Sequence, residues 1–104
     1  MAEYNLPERV EKGIAKLAEE YDIDRVILFG SRARGDNRER SDIDIAISGG
    51  DCIGFSLDAD ERLDTLLMFD IINLDGTVQN ELLEEIERDG VIIYKKSVVK
   101  GVNK

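Results

Sequence analysis

Two aspartates, Asp42 and Asp44, stand two residues apart in the run Asp42-Ile43-Asp44-Ile45-Ala46-Ile47-Ser48. Isoleucines alternate with acids and small residues, the period of a strand, so both carboxylates leave one face with origins roughly 6 to 7 Å apart. Crowded like this they repel, and cations must compensate. Hard oxygen donors of this kind suit Mg²⁺ or Mn²⁺, and two ions roughly 3.5 to 4 Å apart fit between such carboxylates once a third acid joins them. The alternative is an ordinary solvated strand face. Just upstream, five of the eight arginines (Arg25, Arg32, Arg34, Arg38 and Arg40) fall within residues 25–40, in a chain whose formal charge is -9. Gly30 permits a tight turn, and Ser31 offers a hydroxyl and amide groups at the start of a possible short helix, an arrangement suited to phosphate. It is not a Walker loop, which needs Gly-Lys-Ser/Thr. Taken singly, Arg25, Arg38 and Arg40 read as solvated loop residues.

The elements that must position these groups follow from periodicity. Val10, Ile14, Leu17, Ala18 and Tyr21 mark one face of a helix over residues 7–21, with Pro7 in its first turn. Arg25–Phe29 is a short apolar strand buried on both faces, and a second strand starts at Asp42. Gly49, Gly50 and Gly54 form a loop, after which Ala59, Leu63, Leu66 and Leu67 predict a helix capped by Asp58 with Glu61 three residues on. A third strand spans Met68–Leu74 and closes at Asp75-Gly76. A third helix covers Val78–Arg88 with Leu82, Leu83 and Ile86 inward and Gly90 as its stop, and Val91–Tyr94 is a final strand. The order predicts an α+β domain: a mixed sheet of about four strands with helices mainly on one face. If the first two strands pair antiparallel and the third runs parallel to the second, Gly30, Ser31, Asp42, Asp44 and Asp70 share one end of the sheet. Asp70 is then the third carboxylate; Asp75 competes in sequence but falls at the far end.

The 104 residues allow one domain, over residues 1–96, with a basic, frayed tail at 97–104. The acidic balance argues against general nucleic-acid binding. With one cysteine, Cys52, and no histidine, disulfide frameworks, Cys/His zinc sites and histidine-based triads are excluded. Cys52 reads as a packing residue. No apolar run spans a membrane and the first residues lack a leader pattern, so a cytoplasmic protein is expected. A second Asp-x-Asp, Asp22 and Asp24, precedes the first strand at the opposite end and reads as a loop. The acids of the last helix, Glu81, Glu84, Glu85 and Glu87, read as a solvated face.

The stretch GSRARGDNRERSDIDIAI, residues 30–47, resembles the signature of the DNA polymerase β-like nucleotidyltransferase superfamily: Gly-Ser, ten residues, then Asp-x-Asp. The short chain and the Gly-Ser-Arg-Ala-Arg-Gly form resemble its minimal nucleotidyltransferases, the MNT proteins. The resemblance implies that Gly30 and Ser31 grip a triphosphate, that Arg32 and Arg34 neutralise phosphates, and that Asp42, Asp44 and Asp70 bind two Mg²⁺ ions. It also implies that Asp70 helps deprotonate the acceptor. The implied role is that of an antitoxin transferring AMP from ATP to a tyrosine of a partner HEPN-type toxin; a homo- or hetero-oligomer is open on the sequence. Two other readings are a non-catalytic antitoxin acting by complex formation, and transfer to a small hydroxyl compound such as an aminoglycoside.

Overall fold

The computed structural model describes residues 4–63 and 65–96. The expected tail at 97–104 lies outside them. The elements are α1 (Glu8–Glu20), β1 (Arg25–Phe29), α2 (Ser31–Arg34), β2 (Ile43–Ser48), α3 (Cys52–Arg62), β3 (Phe69–Asn73), α4 (Asn80–Asp89) and β4 (Val91–Lys95). The four strands form one mixed sheet in the order β3-β2-β1-β4. β1 pairs antiparallel with both β2 and β4, and β2 pairs parallel with β3. The parallel pair follows from its connection, since α3 carries the chain back to the end where β2 began. No helix among the described residues is long and apolar enough to cross a membrane.

Alternation along the central strands sorts the side chains into two layers. Val26, Leu28, Ile43, Ile45 and Ile47 pack beneath α1 and α3 with Ile14, Leu17, Phe55 and Ala59, and most of these are fully buried. Each such aliphatic contributes about 1.5–3 kcal/mol of burial, which makes this layer the main source of stability. Phe29 and Ala46 face the other way and pack with Ile86 of α4. The two long helices α1 and α3 therefore share one face, and α4 covers part of the other. Asp42 and Asp44 have the parity of Ala46, so they belong to the α4 face.

The helix expected behind Asp58 begins earlier. Asp51 is its cap, accepting the Gly54 amide at 3.0 Å, and α3 runs from Cys52. Gly54 thus lies inside the helix, where a Cβ would stand 2.4 Å from the Asp51 carboxylate and 2.6 Å from the Tyr21 ring. Asp58 sits mid-helix, accepting from the Tyr21 hydroxyl and pairing with Arg62. Leu66, expected inward, lies beyond the helix and is fully exposed. In α4 only Ile86 is buried, Leu82 is partly so, and Leu83 is exposed.

Candidate active site

β1 runs out of the sheet at Phe29 and turns through Gly30 into α2, while β2 and β3 enter at the same end. Phe29 stands opposite Asp44, and Asp44 stands beside Asp70 across the parallel pair. Partners in register point to one face, so the two carboxylates are neighbours on adjacent strands about 4.8 Å apart. Asp42, exposed, lies just before β2 with the same parity. Gly30, Ser31, Asp42, Asp44 and Asp70 thus meet at one rim.

Gly30 is held to this rim by backbone conformation and by contact. Its φ of 77° and ψ of -156° belong to a region open essentially to glycine. A Cβ there would lie 2.4 Å from Asp44 Oδ2, so the backbone touches the carboxylate directly. Its carbonyl accepts from the Ala33 and Arg34 amides, starting α2. Asp44 is half-buried, and its acidity is shifted. Burial first, then the charges of Asp70, Asp42 and Glu85, push its pKa up to about 6, with Arg34 pulling the other way. A carboxylate this costly to ionise is one that a bound cation would relieve.

The two expected phosphate arginines separate. Arg32 is 3% exposed, and its three nitrogens donate to the carbonyls of Ser41, Asn5 and Glu39 at 3.2, 3.1 and 3.1 Å. Its guanidinium is spent on pinning the N-terminal segment and the 35–42 loop to α2, which corrects the expectation of a phosphate contact. Removing it strands three carbonyls and opens a buried hole. Arg32→Ala is expected to destabilise the fold by about 2–4 kcal/mol, lowering Tm by roughly 10 °C or more. Thermal melting checks this: an unchanged Tm combined with lost nucleotide affinity would return Arg32 to the phosphate side. Arg34, by contrast, stays at the surface and within electrostatic reach of Asp44. It is partly exposed and bridges to Asp36 at 3.2 Å and to Asp89 at 2.8 Å.

A sequence model of the polymerase β nucleotidyltransferases matches residues 11–98, most of the chain. The chain belongs to the polymerase β nucleotidyltransferase family. Among solved structures, a toxin–antitoxin complex with AMP-PNP superposes with a TM-score of 0.66 at 23% identity, covering 84% of this chain and 74% of that one. A tri-AMPylated Shewanella oneidensis HEPN toxin in complex with MNT antitoxin gives 0.59 at 21% identity, over 83% and 70% of the two chains. A protein assigned as a minimal nucleotidyltransferase gives 0.59 at 26% identity, over 78% and 86%. At such identities the likeness is one of fold. No curated protein matches the chain.

The remaining acids of this nucleotidyltransferase sort by position. Asp75 lies at the far end, accepting the Gly49 amide at 2.8 Å, and Asp22 bridges to Lys96 there. Arg25 opposes Ser48 at that same end. Cys52 is buried against Gly49 and Asp75, and burial, then Asp75, pushes its thiol up to about 11, so it is no nucleophile. The acids of α4 are not all solvated, as helical spacing alone suggested. Glu85 is half-buried and within electrostatic reach of Asp44, and the Asp89 side chain is only 9% exposed. Neither was legible in the sequence, because nothing local says which face of the sheet α4 covers.

Among the described residues, no three acidic, histidine or cysteine side chains converge tightly enough to cage a metal ion. Magnesium does not require such a cage, since it is commonly held by one or two carboxylates, with substrate phosphate oxygens and water completing the octahedron. The donor set here, hard oxygens of Asp42 and Asp44 beside a backbone turn able to approach phosphate, fits that mode.

Proposed function

We propose that the protein transfers AMP from ATP, with Mg²⁺, to a tyrosine hydroxyl of a HEPN-type partner in the cytoplasm, and so acts as an antitoxin. The observation that carries this reading is the direct apposition of the Gly30 backbone and the Asp44 carboxylate, with Asp70 next in register. That apposition suits a triphosphate lying along the turn with its α-phosphorus at the acids. Gly30 and Ser31 bind the triphosphate, Arg34 neutralises it, and Asp42, Asp44 and Asp70 would hold two Mg²⁺ ions. Those ions would supply electrostatic stabilisation of the pentavalent phosphorus and of the leaving oxygen. Asp70, exposed at the start of the edge strand β3, takes the hydroxyl proton. The oxygen then bonds to the α-phosphorus as the bond to the bridging oxygen breaks and pyrophosphate departs. A HEPN partner is supported by the toxin–antitoxin complexes among the structural neighbours.

Incubation with labelled ATP, Mg²⁺ and the product of the adjacent gene is expected to label that product. Mass spectrometry should place AMP on a tyrosine. An unlabelled partner, with Mg-ATP binding intact, would remove the transfer reading. One observation favours a second reading, neutralisation by binding alone: Ile53 and Leu57, one turn apart on α3, are 70% and 71% exposed, an apolar surface that catalysis does not need. Full protection by the Asp42→Asn, Asp44→Asn double variant at native expression would select it.

A further inference from the structure

Asp89 ends α4 on the face of the sheet that carries Asp44. Its Oδ2 accepts from Arg34 Nη1 at 2.8 Å and from Arg88 Nη2 at 3.1 Å, and its Oδ1 accepts from Arg88 Nε at 3.2 Å. The exposures are uneven. The Asp89 side chain is 9% exposed, against 40% for Arg34 and 68% for Arg88. The carboxylate is the fixed member of the cluster, and the guanidinium it holds reaches into solvent. Arg34 needs such an anchor, because it sits on a helix of four residues that ends at once in the left-handed Gly35. Its own backbone does little to orient a long side chain.

The geometry assigns Asp89 as a positioning residue that clamps Arg34 from α4 and presents its guanidinium, one helical turn from Gly30, for a phosphate oxygen. This rests on the nucleotidyl-transfer reading. Asp36 takes Nε and Asp89 takes Nη1, while among the described residues Nη2 has no partner and is the nitrogen left for the ligand. With the Arg34 partner 40% exposed, the contact adds little to stability, so its use lies in orientation. Two effects of removing Asp89 oppose each other. The lost negative charge would favour an anion, but that charge is already compensated by two guanidinium groups, those of Arg34 and Arg88. The side chain, left only with the exposed Asp36, must instead be ordered anew each time nucleotide binds, and a loosely held arginine has several torsions to freeze. Ordering dominates.

The test is titration of the full chain with Mg²⁺ and a nonhydrolysable ATP analogue. Asp89→Ala is expected to weaken binding by up to about ten-fold, the upper range for ordering one rotamer-rich side chain on binding. Arg88→Ala should leave it within about two-fold, as befits a surface substitution. Arg34→Ala should also weaken binding, and adding Asp89→Ala to it should cost nothing more, since the two changes break one link. In turnover, Asp89→Ala should raise KM for ATP and leave kcat nearly unchanged, a split that a purely structural role would not produce. Should Asp89→Ala lower Tm, Asp89→Asn keeps the shape and is expected to show an intermediate loss. Unchanged or tighter binding by the Asp89 variants, or a full further loss in the Arg34→Ala background, would overturn the assignment while leaving the transfer reading standing. If the wild-type chain bound no nucleotide, both would fall.

Discussion

Replacing Asp44 by asparagine is expected to abolish nucleotidyl transfer, by roughly 10³-fold or more, and at the same time to raise the melting temperature of the nucleotide-free protein. The loss follows from removing a charged ligand at the point where the phosphorus must be stabilised. The gain follows from the cost of ionising the group there: burial first, then Asp70, Asp42 and Glu85, oppose ionisation and push the Asp44 pKa up to about 6 from 3.8. The sign is the reverse of the usual acid. Between these two values the folded state holds a proton that the unfolded state has released, so stability rises as pH falls through about 6 and the penalty is full above it. Asparagine escapes that penalty. Discounted for screening, its advantage is about 1 kcal/mol, or roughly 4–8 °C in Tm, near pH 8, and it should shrink to almost nothing near pH 4. Melts of both proteins at the two pH values decide the matter. An equal shift at both, or none at either, would mean that Asp44 is neither desolvated nor crowded by its neighbours in solution.

Gly30→Ala carries the second large effect. The substitution forces a Cβ into a backbone region that costs about 1–3 kcal/mol for a non-glycine residue, and it sets that carbon 2.4 Å from Asp44 Oδ2. Either the turn into α2 or the carboxylate must move. Activity is expected to drop by about 10²-fold even at temperatures where the variant is folded, because misplacement of about 1 Å at a reacting centre costs that much. Single-turnover transfer measured beside circular dichroism separates the two losses. A folded Gly30→Ala protein with wild-type turnover would show that the backbone turn does not approach the phosphate.

The arrangement that makes both substitutions severe is partly legible in the sequence. The alternation around Asp42 and Asp44, the apolar β1 and the Gly-Ser turn are local patterns, and β1, β2 and that turn lie within a residue or two of their expected places. The shared rim of Gly30, Asp44 and Asp70 followed from chain direction alone, and the pairing of Phe29 with Asp44 and of Asp44 with Asp70 agrees with it. Where local pattern failed, a distant group had the deciding contact. Asp58 looked like a helix cap, yet Asp51 holds that position, and Asp58 turns to Tyr21, just beyond α1, and to Arg62 of its own helix. Arg32 and Arg34, two residues apart in one cationic run, are indistinguishable by composition. Their fates divide because one side chain of a four-residue helix points into the fold and the other out.

The amino-acid sequence alone determined the order of elements, the family and the identity of the acids at the rim, because periodicity, turn residues and spacing are properties of neighbours along the chain. Only the tertiary structure decided which arginine stays at the surface within electrostatic reach of those acids, that Asp89 anchors it, and that Glu85 adds to the charge around Asp44. Those outcomes depend on which face of the sheet α4 covers, and that is set by packing between residues far apart in the chain.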